Sequence, residues 1–316
     1  MSYVFYPGCS LESTARDYRD SALAVSRALG IELRVLPNWI CCGSTAAHQS
    51  DPRLALALPA KNLAAAGAPT AAGAPVAAAA STAVGVPTLV VCCAACYNRL
   101  KTANYRIAGD PAIRGQVAEV IGADYDGSTP VKHLLEVLSE KAVLSEIAAR
   151  LVRPLRGLRV ASYYGCLLVR PPEVMQPDDP ENPMLMDKLL ASCGAEPLDW
   201  PHKVECCGAS YSITKVDSVR RLSREILAQA RDAGADCLAT ACPLCQSNLD
   251  LRQREIEAQF GERFRLPIFY FTQLLGLALG LSPAEVSLRS MIEDPRPCLE
   301  RRGVLPCAAG CGGASR

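Results

Sequence analysis

Sixteen cysteines in 316 residues are too many for a chain that uses thiols only as small hydrophobes. Ten of them form two sets that repeat in order. In the first, a lone Cys9 in YPGC is followed by the adjacent pair Cys41 and Cys42 in ICCG, then by Cys93 and Cys96 in VCCAAC. In the second, Cys166 in YYGC is followed by Cys206 and Cys207 in ECCG, then by Cys242 and Cys245 in ACPLC. A CxxC turn presents two thiolates to one metal ion or one cluster edge. Adjacent cysteines diverge on a strand, so converging them takes an irregular turn. Gly43 and Gly208, directly after the pairs, permit the positive φ that such a turn requires. Gly8 and Gly165 precede the lone cysteines for a similar reason. Five thiolates exceed the four that close a zinc site or an ordinary cubane cluster. The excess favours a larger iron–sulfur unit in each half, with a zinc staple in one half or plain buried thiols as the alternatives.

These cysteines are far apart in sequence, so a repeated frame must collect them. Each copy reads as a strand before the lone Cys (SYVFY; LRVASYY), a helical stretch, a short strand before CCG and another helix. An apolar strand before CxxC (PTLVV; CLAT) and a closing helix (YNRLKTANYRI; QSNLDLRQREIEAQF) follow. Alternating strand and helix predicts an α/β layer with a mainly parallel sheet, whose ligands gather at the carboxyl ends of the strands, where the cysteine motifs fall. PVKHLLEVL and PIFYFTQLLGLAL extend the repeat, so the repeating unit is a whole domain. The predicted division is 1–153 and 154–290, with a Cys/Gly-rich tail over 291–316.

From the CC pair to the CxxC lie 50 residues in the first copy and 34 in the second. The surplus falls on an Ala/Gly/Pro-rich insertion at about 64–86. No charge occurs from Leu63 to Asn98, but Pro69, Pro75 and Pro87 break the run, and its composition is a poor match to a membrane span. The 33 basic and 32 acidic residues nearly cancel, which gives no pull toward nucleic acid. The start MSYVFYPGCSLESTARDYRD lacks a basic region followed by an apolar run, so a cytoplasmic location with reduced thiols is expected.

The patterns C-x31-C-C-x50-C-x2-C and C-x39-C-C-x34-C-x2-C resemble the duplicated motif of the CCG domain family, and within it the B-type subunit of heterodisulfide reductase. The resemblance covers nearly the whole chain and implies two tandem pseudo-symmetric CCG domains. It implies one noncubane 4Fe-4S cluster on Cys9, Cys41, Cys42, Cys93 and Cys96 and another on Cys166, Cys206, Cys207, Cys242 and Cys245. Cys92 aligns with Ala241 and is not assigned as a ligand. The implied activity is reversible reduction of a disulfide, or oxidation of two thiols, between the clusters. No flavin or NAD phosphate-binding loop and no C-x2-C-x2-C-x3-C run is visible, so electrons must pass through a partner. The resemblance implies a subunit with cubane 4Fe-4S clusters and a flavoprotein beyond it, with protein-bound lipoyl as a substrate in sulfur-oxidising members. Glycolate and lactate oxidation complexes share the motif, so pure electron relay is one alternative function, and a zinc-stapled assembly scaffold is the other.

The remaining chemistry-bearing residues receive milder readings. Cys193 and Cys237 have apolar neighbours and are expected in the core, while Cys298, Cys307 and Cys311 are assigned no role. His48 and His202 flank the CC pairs as proton donors, or as surface or capping residues. Arg220, Arg221 and Arg224 read as a solvated helix face.

Overall fold

The computed structural model describes residues 1–44, 47–68 and 86–306. Two four-stranded parallel sheets form the frame. The first joins β1 (Ser2–Tyr6), β2 (Glu32–Val35), β3 (Leu89–Val91) and β4 (Val131–His133) in the order β2-β1-β3-β4. The second joins β5 (Arg159–Tyr163), β6 (Glu196–Pro197), β7 (Cys237–Thr240) and β8 (Ile268–Tyr270) in the equivalent order β6-β5-β7-β8. The register repeats as well: Val4 pairs Leu89 and Leu89 pairs Val131, while Leu238 pairs both Ala161 and Ile268.

Central parallel strands are covered on both faces and therefore read as apolar runs rather than alternating ones. Leu89, Val90 and Val91 of β3 are fully buried, as are Cys237, Leu238 and Ala239 of β7. The edge strand β2 is partly exposed along its whole length. The helix Leu54–Gly67 takes up the first residues of the Ala-rich stretch, and residues 69–85 of that stretch lie outside the described residues. Among the described residues, no helix is long and apolar enough to cross a membrane.

One contiguous hydrophobic cluster runs through both halves. Helix Arg16–Ala28 of the first half lies against helix Phe271–Ala278 of the second. There the Tyr18 and Tyr270 rings stack at 4.1 Å, and the Ser21 and Thr272 hydroxyls are hydrogen-bonded at 2.8 Å.

The structure differs from the sequence reading in three places. The CC pairs do not directly follow their strands: β2 ends at Val35 and β6 at Pro197, and Cys41 and Cys206 come later, on irregular loops. The long closing helix of the second copy is two helices, Pro243–Asp250 and Gln253–Phe260. The segment after residue 290 is not loose up to Pro306, because Leu299 and Val304 bury themselves against the second half.

Candidate metal centre

Three local devices repeat in both halves and bring the sulfurs in. The first is a close approach of backbone to sulfur. Gly8 and Gly165 adopt φ of +68° and +66°, and a Cβ there would stand 3.1 Å from Cys96 Sγ and 3.0 Å from Cys245 Sγ. Only glycine admits both the conformation and the contact. The second is a tyrosine two residues before each of these glycines. Tyr6 Oη donates to the Ile40 carbonyl at 2.8 Å and Tyr163 Oη to the Glu205 carbonyl at 2.7 Å, which fixes the residue immediately before each CC pair. The third is a helix start: Cys93 and Cys242 are the N-caps of Ala94–Gly109 and Pro243–Asp250, and Cys96 and Cys245 lie in the first turns. The positive end of the helix dipole favours thiolate there.

The result is that the structure brings all five sulfurs of each set together. In the first half Cys42 Sγ lies 3.3 Å from Cys96 Sγ, and Cys41 and Cys93 stand near enough to shift the ionisation of Cys42 and Cys96 respectively. Cys9 stands near enough for its charge to act on Cys41. In the second half Cys207 Sγ lies 3.6 Å from Cys245 Sγ, while Cys166 and Cys242 stand near enough to shift the ionisation of Cys206 and Cys245 respectively. A cavity of about 60 Å³ is lined by all five second-half cysteines, and Ala94 of the first half closes one side. Cys9, Cys41 and Cys206 are exposed, so each set has a buried floor and a solvent-facing rim.

Crowded thiols compete for protons. The S–H groups of Cys41 and Cys96 pull the Cys42 thiol down to about 3, and Cys166 pulls Cys206 down to about 6. Cys245 and Cys93 hold Cys242 far below the ordinary thiol range. The partners Cys41, Cys96, Cys166 and Cys245 are pushed up in return, because ionising them would place a second negative charge beside the first. Backbone amides add to the anionic character: Gly43 N points at Cys41 Sγ at 3.4 Å and Gly208 N at Cys206 Sγ at 3.3 Å. The described cysteines are all free thiols. Five free thiols strung along pairwise contacts, with amide donors at the turn, fit a multi-iron group. Among the described residues, no three His, Cys, Asp or Glu side chains close to the spacing of a single ion.

The two sets adjoin. Cys93 and Cys242 lie near enough across the halves for each thiol to shift the other's ionisation. Behind them His133, fully buried, holds the carbonyls of Cys92 at 2.7 Å and Ala241 at 3.2 Å through Nε2. Its Nδ1 accepts from Leu135 N, so Nε2 carries the proton. Burial lowers His133 to about 4 and keeps it neutral. Asn98 Nδ2 bridges the halves again, donating to the carbonyls of Leu167 and Arg170.

Sequence reasoning missed His133, the two tyrosines, and the pair Arg99 and Asn248. The signal for the tyrosines was present, because YPGC and YYGC place them identically. Arg99 and Asn248 each stand three residues after a CxxC. The Arg99 charge acts on Cys42, whereas Asn248 Nδ2 meets Cys207 Sγ at 3.6 Å. Cys92 and Cys193 are buried in the core, and burial pushes both thiols up. His202 stacks on Trp200 with a buried, unpartnered Nδ1, and the side chain of His48 lies outside the described residues. Arg220 and Arg224 form surface ion pairs with Glu255 and Glu262.

Comparison with known proteins agrees with this architecture. The CCG cysteine-rich domain model matches residues 3–101 and again 160–250. The chain is 29% identical over 295 residues to the 8-methylmenaquinol:fumarate reductase membrane anchor subunit of Wolinella succinogenes, covering 92% of this chain and 97% of that one. It is 29% identical over 290 residues to the B-type subunit of the ferredoxin/F420H2-dependent CoB-CoM heterodisulfide reductase of Methanosarcina acetivorans, covering 90% and 91%. To the B-type subunit of the ferredoxin:CoB-CoM heterodisulfide reductase of Methanosarcina mazei it is 31% identical over 201 residues, 62% of this chain and 67% of that one. A crystal structure of a hypothetical protein from Helicobacter pylori shares the fold, with a TM-score of 0.70 at 14% identity over 93% of this chain and 52% of the other. This chain thus spans about half of that one. With both sheets, both cysteine sets and both family matches in register, the chain belongs to the CCG cysteine-rich domain family, in the branch of the heterodisulfide reductase B-type subunits.

Proposed function

We propose that this iron–sulfur redox subunit reduces a disulfide, or oxidises two thiols, at two noncubane 4Fe-4S clusters within a heterodisulfide reductase-like complex. The observation that carries the reading is the proximity of Cys93 to Cys242, which sets the two five-thiol groups side by side. Cys9, Cys41, Cys42, Cys93 and Cys96 of half 1–153 would hold one cluster, and Cys166, Cys206, Cys207, Cys242 and Cys245 of half 154–290 the other. When bound, the clusters would supply one electron each and iron that stabilises anionic sulfur.

The chain's own residues position and shield. Tyr6 and Tyr163 commit their hydroxyls to backbone carbonyls, and burial raises both far above their ordinary range, so neither delivers protons to sulfur. The solvent-facing rim at Cys9, Cys41 and Cys206 leaves that task to water. Ala94, Leu167 and Leu244 line the second cavity and exclude water from its apolar side. Electrons would arrive from a partner subunit with cubane 4Fe-4S clusters, itself served by a flavoprotein, in the cytoplasm. Protein-bound lipoyl is one substrate of suitable chemistry.

The near end-to-end match to the Wolinella subunit favours a second reading, a relay between a quinol and a fumarate reductase-type enzyme without disulfide chemistry. Anaerobic purification with iron, zinc and sulfide counting, followed by electron paramagnetic resonance with and without dithiols, decides among these. About eight irons, four for each of two clusters, and a thiol-dependent signal support the proposal. Spectra indifferent to thiols support the relay, and zinc in place of iron overturns both.

A further inference from the structure

Another pair of thiols lies outside both five-cysteine sets. Cys237 opens β7 and is fully buried, and Cys298, only 3% exposed, sits in the helix Arg296–Arg301. The two thiols lie near enough to act on each other's ionisation. Cys298 Sγ also lies 3.4 Å from the Asp236 carbonyl. The Asp236 carboxylate, 8% exposed, binds Arg302 at 2.7 Å and Arg159 at 3.5 Å. The C-terminal segment is thus pinned to the start of β7 by an ion pair and a thiol contact. The first copy has Thr88 where the second has Cys237, five residues before CxxC, so the pair stands apart from the duplicated motif. Beside Cys298 a cavity of about 330 Å³ opens between Asp236, Phe264, Pro267, Glu293 and Arg301.

We propose that Cys237 and Cys298 are a reversible dithiol site, oxidised by a hydroperoxide to an intramolecular disulfide that fastens the C-terminal segment to β7. The oxidant has to be small, because the cavity reaches Cys298 while leaving its sulfur nearly covered. Cys298 is the nucleophile: it lines the cavity while Cys237 does not, and its neighbour Cys237 holds its thiol below the ordinary range, against burial and Asp236. Its thiolate attacks one peroxide oxygen, the O–O bond breaks, and the other oxygen leaves as water or an alcohol once protonated. The Cys237 thiol then attacks the sulfenic sulfur of Cys298, forming the S–S bond and releasing water. Two electrons pass from two sulfurs to one peroxide. An external dithiol reverses the step by exchange. Nothing in this depends on which cysteines bind iron.

The test uses the full chain, purified anaerobically and treated with one equivalent of hydrogen peroxide. After quenching and denaturing alkylation, peptide mass spectrometry should find the Cys237 and Cys298 peptides joined, short of two hydrogens, and parted by dithiothreitol. In Cys298→Ser the crosslink should vanish and Cys237 should be alkylated. Both cysteines alkylated after peroxide, Cys298 joined to Cys307 or Cys311 instead, or Cys298 recovered as sulfinic acid would each overturn the proposal.

Discussion

Cys93 and Cys242 occupy equivalent positions in the two halves, each at the N-cap of a helix after a central strand, and each thiol stands close enough to shift the ionisation of the other. Two centres that adjoin through one residue from each side should respond jointly to loss of either of those two residues, and singly to loss of a peripheral one.

Cys207 meets Cys245 and Asn248, both within the second half. Cys207→Ala should therefore lose about half of the bound iron, with the first set keeping its cluster. Cys242→Ala should broaden or shift the first signal as well. Iron counting and paramagnetic resonance on both variants check this, and identical spectra from the two would refute the joint centre.

Arg99 places a cation on the first set where the second has the neutral Asn248. A nearby positive charge stabilises the more negative, reduced state. Arg99→Gln should lower the midpoint potential of the first centre by an amount on the order of tens of millivolts. Asn248→Leu should move the second centre less, and a redox titration followed by spectroscopy reads both.

Gly165→Ala would push a Cβ to 3.0 Å from Cys245 Sγ at a φ of +66°. Strain of this kind costs on the order of 1–3 kcal/mol. The expected outcome is a folded protein whose second centre loads poorly. Circular dichroism beside iron content separates that result from general unfolding.

His133 titrates near 4 when folded, against an ordinary 6.5. As pH falls below 6.5 the unfolded chain takes up a proton that the folded chain refuses, so stability is present above 6.5 and is lost on the way down to about 4. The slope is about 1 kcal/mol per pH unit. Urea denaturation at pH 7 and pH 5 should show this loss in the native chain and not in His133→Gln. Comparing the two proteins cancels carboxyls such as Asp17, which burial raises to about 6 and whose effect has the opposite sign.

The duplication, the ten cysteines and the strands before each lone Cys and each CxxC were legible because they are local patterns: apolar runs ending in glycine and cysteine. Gly43 and Gly208 adopt the positive φ expected from their place after the pairs. The fourth strands were hidden. β4 and β8 are three residues long and run straight into helices capped by His133 and Tyr270, so PVKHLLEVL and PIFYFTQLLGLAL showed the repeat but not the strands that open them. His133 was hidden for a further reason: its partners Cys92 and Ala241 are separated from it by 41 and 108 residues, and periodicity carries no such information. The docking of Cys298 on Cys237 was masked by a Pro, Arg and Gly-rich composition that resembles a loose tail.

The common hydrophobic interior has a bearing on how the protein is matured in the cell. The helices Arg16–Ala28 and Phe271–Ala278 meet through Tyr18 on Tyr270 and Ser21 on Thr272, so parting the halves would break both contacts and expose the shared interior. Iron and sulfide delivered to the folded chain would therefore enter at its solvent-facing thiols, Cys9 and Cys41 in one half and Cys206 in the other.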